Sequence, residues 1–396
     1  MQPTYSPSEV AEILGISKGE LLEWERDGRI PAAPRNEDNH RIFSGDQLHE
    51  IMERAGRCPF KRISIVNQKG GVGKTTTTFN LGACLAYTGQ RVLVVDLDAQ
   101  ANLTISFGLN PDDIDKTSND LLVDESVTLD QVIHKTDYSN LWCVPADIRL
   151  AGADVKLREM IMREKILDGK LEAAKGYFNF VLFDCPPNLS SVTINALVAS
   201  TDAIVPIETQ FYSMKAIDDL TSTFNLIKRK MNHAIKTWIL PTKIDNRIKV
   251  HRGILEMLEK SFGGKLLSPI MTDAKVSAAP MVKQPIIYSF PASRGTRDFK
   301  RLCQEVLSEN EQEAGGDVRR DPREREREDP TGGGDRVAVA SAVEACLGEG
   351  RGVADGDAGG NGAHVATGDG AGEREPALET APAAVEPVAD APEPIL

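Results

Sequence analysis

The stretch that most limits what this chain can fold into is Asn67-Gln68-Lys69-Gly70-Gly71-Val72-Gly73-Lys74-Thr75-Thr76. An apolar β-run, Ile63-Ser64-Ile65-Val66, precedes it, and Phe79, Leu81 and Leu85 follow at the spacing of an amphipathic helix. A strand that turns through glycines into a helix N-terminus can close its backbone N–H groups around phosphate oxygens, and the helix adds partial positive charge. The run therefore predicts a P-loop, with Lys69, Gly70, Gly71, Val72, Gly73, Lys74, Thr75 and Thr76 as the nucleotide-binding set. Lys74 would reach the β- and γ-phosphates, and the Thr75 hydroxyl would ligate Mg²⁺. The pattern G-x-x-x-x-G-K-[ST] is incomplete, because Gln68 stands at its first glycine. Lys69 and the Gly70-Gly71 pair take over there, which is the deviant form of the loop with a second lysine.

Further apolar runs alternate with helical stretches: Val92–Val95, Val181–Phe183, Ala203–Ile207 and Trp238–Leu240. Short, continuously apolar strands separated by helices predict an α/β P-loop NTPase fold, a mostly parallel sheet with helices on both faces. Asp96 and Asp98 close one of these strands and Asp184 another. Ligands of open α/β sheets lie at the carboxyl ends of strands, so these acids are placed near the P-loop. Asp184 reads as the acid that orients Mg²⁺ through water.

Residues 1–57 form a separate α-helical pattern. Ser6-Pro7-Ser8-Glu9 and Ser17-Lys18-Gly19-Glu20 both read as capping boxes, with Gly15 and Gly28 as stops. Two short helices joined by a glycine turn predict a helix-turn-helix. His40-Arg41-Ile42-Phe43 suggests a small wing, and Ser44 caps a third helix carrying Leu48, Ile51 and Met52. The stretches Tyr5–Ala11, Leu14–Ser17, Trp24–Pro31 and Arg41–Ser44 resemble the winged helix-turn-helix of MerR-type regulators. The second helix sets Glu20, Glu23, Glu25 and Asp27 against Lys18 and Arg26, so much of the phosphate contact falls to Arg29, Arg35 and Arg41. The same pattern also fits a helical module that dimerises or docks a partner.

Charge divides the chain. Residues 1–310 carry 39 acidic and 38 basic side chains, whereas 311–396 carry 20 and 8 and no aromatic residue. A segment so acidic and so poor in large apolar groups cannot offset the entropy of ordering, so 311–396 is expected to be disordered. The expected domains are thus a helix-turn-helix module (1–57), an ATPase domain (58–310) and the acidic tail. The acidity of the whole therefore says little about the folded part and does not exclude DNA. No run reaches the eighteen apolar residues of a membrane span, and the N-terminus lacks a signal pattern, so a cytoplasmic location is expected. The six cysteines form no C-x-x-C pair and read as reduced thiols.

The ATPase stretches Lys69–Thr78, Val94–Gln100, Asp184–Leu189, Val205–Tyr212 and Ser293-Arg294-Gly295 resemble the ParA/Soj family of deviant-Walker partition ATPases, over about residues 61–308. The resemblance implies a homodimer that binds ATP and Mg²⁺. In it Lys69 crosses to the partner's nucleotide, Asp98 positions the attacking water, and Asp96 supports the Mg²⁺ and P-loop shell. Ala99 and Ala101 stand where the family has Pro and Gly. It also implies non-specific DNA binding, nucleoid association, and slow hydrolysis stimulated by a ParB-like centromere-binding partner. Residues 201–310 carry 17 basic and 11 acidic side chains, which by itself supports a DNA-facing surface. On the family pattern Arg247 and Lys275 are the main candidates, with Lys249, Arg252, Arg294 and Arg297 behind them, and Lys18, Arg26 and Arg41 on the N-terminal module. Three other uses of the same switch stay open: positioning a protein assembly on the nucleoid, an ATP-gated transcription regulator, and a MinD-like membrane switch. An acidic C-terminus disfavours the last.

Overall fold

The computed structural model describes residues 4–317, apart from Glu37, Arg57, Pro59 and 209–212. The N-terminal module begins with a strand that the sequence pattern did not announce. β1 (Thr4–Tyr5) pairs antiparallel with β2 (Phe43–Ser44). α1 (Pro7–Ile13) and α2 (Lys18–Arg26) both open on complete capping boxes: Ser6 accepts from the Glu9 N–H while Glu9 accepts from the Ser6 N–H, and Ser17 and Glu20 repeat the exchange. Each box satisfies two amides that a helix start leaves unpaired. Ser44 and Gln47 do the same for α3 (Gly45–Arg54). The wing is a hairpin in which Arg35 bridges Arg41 and the Ile42 N–H donates to Pro34 O at 3.0 Å. Val10, Leu14, Leu21, Ile30, Phe43, Leu48 and Ile51 fill the core of the module.

The rest is built on one sheet. Its strands are β3 (Lys61–Ile65), β4 (Val92–Asp96), β5 (His134–Lys135), β6 (Leu141–Val144), β7 (Phe180–Asp184), β8 (Asp202–Glu208) and β9 (Lys236–Thr242), with α4 (Lys74–Tyr87) following β3. The spatial order is β5-β6-β4-β7-β3-β8-β9, and only β5 pairs antiparallel. Alternate strand residues enter different cores: Leu93, Val95, Val181, Phe183 and Val205 pack on one face, and Val92, Val94, Phe180, Leu182 and Ile204 on the other. Burial on both faces is why these strands lack polar alternation, and helices cover both. β5 and β6 are the strands of this sheet that the sequence pattern missed. They are short, and β6 is bracketed by Asn140, whose φ is +61°, and by Pro145.

β3 lies between β7 and β8, so the loop leaving β3 emerges between the ends of both. Asp96 and Asp184 are register partners on neighbouring strands. The last helix runs Arg294–Asp317, past the boundary drawn at 310. Good helix formers (Glu311, Gln312, Glu313, Ala314) let it propagate, so 311–317 is helix rather than tail. The expected tail from 318 onward lies outside the described residues. Among the described residues no helix is long and apolar enough to cross a membrane, and Cys58, Cys84, Cys143, Cys185 and Cys303 are free thiols.

Candidate functional site

The loop after β3 holds its shape through its glycines and its neighbours. Gly71 and Gly73 have φ of 74° and 96°, conformations an L side chain resists, and Gly73 delivers the chain into α4. Asn67 anchors the start: its Nδ2 donates to Pro206 O at 2.8 Å, and its Oδ1 accepts from the Lys69 N–H at 2.9 Å. Thr242, at the end of β9, donates to Val72 O at 2.8 Å. Lys74 is buried, with Nζ on Lys69 O at 3.1 Å. Burial lowers its pKa, opposed by the negative charge of Asp184 and its neighbours. A cation so placed is short of anionic partners, and a phosphate chain supplies them.

Asp184 is fully buried. Thr78 Oγ1 donates to its Oδ1 at 3.4 Å, and the nearby Thr75 hydroxyl offsets part of the cost of its charge. Its Oδ2 is buried with no hydrogen-bond partner among the described residues. Burial, and then the charge of Asp96, push the Asp184 pKa well above the usual carboxylate range. A buried carboxylate oxygen left unpaired beside a threonine hydroxyl is the donor set a hard divalent cation takes, so these residues fit Mg²⁺.

Asp96 differs from its expected place in the metal shell. Its Oδ1 accepts from the Asp98 N–H at 3.1 Å, and its Oδ2 accepts from the Thr104 N–H and Oγ1 at 2.9 and 2.7 Å. Thr104 Oγ1 in turn accepts from the Ala146 N–H. Both oxygens of Asp96 thus clamp the loop that carries Asp98 rather than point at a cation. Asp98 is half-buried, and its Oδ1 accepts from the Gln100 N–H. Ala101, standing where glycine was expected, takes φ +52°.

The candidate DNA-contacting bases divide into two groups. Ile244 pairs with Met271, so the segments carrying Arg247 and Lys275 leave the sheet side by side. Asp273 then accepts from the Lys275 and Gly295 N–H groups, which brings Arg294 and Arg297 to the same end. A Cβ at Gly295 would stand 2.4 Å from Val276, which is the physical reason for glycine after Arg294. Lys249, Arg252, Lys275, Arg294 and Arg297 are all exposed. Arg247 is 90% exposed but held by Asp245 in a forked ion pair at 2.6 Å. On the N-terminal module, Lys18 is exposed, Arg26 sits 3.7 Å from Asp27, and Arg41 pairs with Glu25 at 3.5 Å.

Two protein-family models match the chain. The AAA domain family matches residues 60–237, and the helix-turn-helix domain family matches residues 4–56. The sporulation initiation inhibitor protein Soj of Bacillus subtilis (strain 168) is 40% identical over 250 residues, 63% of this chain and 98% of Soj. The chain belongs to the ParA/Soj family. The chromosome partitioning protein ParA of Caulobacter vibrioides is 32% identical over 254 residues, 63% of this chain and 95% of that protein. Among solved structures, cobyrinic acid a,c-diamide synthase from Mycobacterium smegmatis with bound ADP and magnesium superposes with a TM-score of 0.55 at 30% identity, covering 63% of this chain and 94% of its own.

Two residues of this ParA/Soj chain were given no role at the site by the motif reading. Glu208, the last residue of β8, pairs with Lys69 at 3.4 Å and with Lys243. Burial opposes its charge, but the hydrogen bond from Lys243 and the two lysine charges hold its pKa below the ordinary range. Lys243 also donates to Gly71 O at 2.6 Å from a left-handed backbone (φ +54°). Its setting, Thr242-Lys243-Ile244-Asp245, faintly echoes a guanine-reading motif in sequence. In the fold the lysine braces the phosphate loop instead. Thr209 to Tyr212, the remainder of one family stretch, lie outside the described residues.

Proposed function

We propose that this chain hydrolyses ATP and uses the bound nucleotide to switch a homodimer on and off DNA, in the segregation of a plasmid or chromosome. The observation that carries the reading is the buried Oδ2 of Asp184, without a hydrogen-bond partner among the described residues, beside Thr75, and the anion-poor setting of Lys74, at the mouth of a glycine loop. Lys74 would bind the β- and γ-phosphates. Thr75 and Asp184 would hold Mg²⁺, whose charge neutralises that of the phosphate oxygens. Asp98, presented by the loop that Asp96 clamps, would position the attacking water. Lys69 would exchange Glu208 for the nucleotide of the second subunit. The γ-phosphate then favours the paired state because that state alone binds it well. The basic end around Arg247 and Lys275 would hold DNA without sequence preference, the helix-turn-helix would add a specific site or autoregulation, and a ParB-like partner would stimulate hydrolysis and release.

Retention of non-specific duplex DNA in ATP, together with sedimentation of the protein, tests this. Wild type should form dimers and retain DNA with ATP but not with ADP. Lys74→Ala should lose both, and Arg247→Ala should keep the dimer and weaken DNA retention. Unchanged stoichiometry in the empty, ADP and non-cleavable triphosphate states would overturn the reading.

A further inference from the structure

The N-terminal module is seated on the ATPase domain at the far end of the phosphate-loop helix. Leu48 of α3 lies against Gly89, whose φ is +84°; a Cβ there would stand 2.6 Å from Leu48 Cγ. His49, buried, donates from Nδ1 to Gly89 O at 2.9 Å, and Asn140 Nδ2 donates to Gly45 O at 2.9 Å. Tyr5 of β1 meets Tyr87, the last residue of α4, edge to face at 5.3 Å. Tyr87 packs on both the module's core and one core of the sheet. Burial, and after it the charge of Glu9 and Glu12 of α1, raises the Tyr87 pKa, and Lys300 lies over the same ring at 5.6 Å. A cavity of about 320 Å³ remains in this seam, lined in part by Glu12, Ile13, Tyr87, Cys303 and Leu307.

From Tyr87 the ring contacts continue without a break. Tyr87 meets Tyr288 at 6.0 Å, Tyr288 stacks on Tyr138 at 4.7 Å, Tyr138 meets Phe107 at 6.4 Å, and Phe107 meets Phe79 at 4.7 Å. Phe107 closes the short helix Asn102–Ser106, whose Thr104 holds Asp96. The path therefore joins the helix-turn-helix to the loop that carries Asp98. At the module's end the seat is imperfect: the hydroxyls of Tyr5 and Tyr288 are buried without a hydrogen-bond partner among the described residues. Groups left unpaired in this way favour any rearrangement that pairs or wets them. The cavity in the same seam, which Tyr87 lines, gives that ring and α1 room for a second arrangement.

We propose that nucleotide occupancy is communicated to the helix-turn-helix through this aromatic path, Phe107–Tyr138–Tyr288–Tyr87–Tyr5. The inference rests on the ATP reading above and adds its regulation. When the loop Leu97–Phe107 rearranges around a γ-phosphate, Phe107 moves Tyr138 and Tyr288, and the seat of Tyr5 and α3 on Tyr87 and Gly89 changes. Coupling of this kind is reciprocal, so DNA held by the module alters nucleotide affinity by the same factor.

Hydrogen exchange of the full chain, read on peptides covering residues 43–54 with and without Mg²⁺ and ATPγS, tests the path. In wild type the nucleotide should change protection there several-fold. Tyr138→Leu should bind ATPγS with unchanged affinity and lose that response, and Tyr138→Phe, which keeps the ring, should restore it. Gly89→Ala should unseat the module and raise exchange in 43–54 with or without nucleotide. A wild-type module indifferent to bound ATPγS, or a Tyr138→Leu chain that responds like wild type, overturns the coupling alone. Failure of wild type to bind ATPγS overturns the ATP reading and the coupling with it.

Discussion

Ala101 shows how one residue can carry strain at a functional loop. Its φ of +52° lies in the region that costs a non-glycine residue roughly 1–2 kcal/mol. It sits between Asp98, whose carbonyl accepts its N–H, and the helix that returns Thr104 to Asp96. Ala101→Gly should relieve that strain and stabilise the chain by about 1 kcal/mol, less the entropy that glycine adds to the unfolded state. The urea midpoint measures it, and a fall in the midpoint would mean that the alanine methyl, buried at this position, outweighs the backbone strain. At this scale the site was largely legible: Lys74, Thr75 and Asp184 follow from glycine spacing and strand-end acids. Glu208 and Lys243 were not, because an ion pair across β8 and β9 leaves no local spacing to read. Asp96 could not be told from a metal-holding acid until the amides that fill its oxygens were placed.

Among the elements, α3 depends most on a partner outside its own domain. His49 donates to Gly89 O from a buried ring, and burial, followed by the charge of Arg91, lowers its pKa below 6.5, against the Gly89 carbonyl, Glu53 and Asp46. The seated module thus holds a neutral imidazole. A lowered folded-state pKa means that the unfolded chain binds the proton first as pH falls. The contribution is therefore complete above the free value of about 6.5 and lost as pH drops from there through the folded value. Protection factors across Gly45–Arg54 should fall between neutral and mildly acidic pH, and His49→Gln should flatten that dependence. The capped helices and the long apolar strands were legible because caps and burial leave local signatures. β1 and β6 were not: one owes its existence to pairing with Phe43, the other is four residues held by the strand beside it.

On the scale of the molecule, the basic end and the helix-turn-helix occupy opposite ends of the sheet. Gly89 and Asn140, which seat the module, precede β4 and β6, whereas Arg247 and Lys275 follow β9. Between them runs α4, 14 residues and hence about 20 Å long. If the basic end holds phosphates, Arg247→Ala should reduce the slope of log affinity against log salt by about one. Asp245→Asn, which releases the Arg247 fork, should tighten binding at low salt; filter retention of a random duplex checks both. The opposed placement has a topological consequence. If both ends hold DNA as proposed, a straight duplex lying on one end of a subunit is out of reach of the other, so a chain engaged at both ends would tether two separate stretches of double helix.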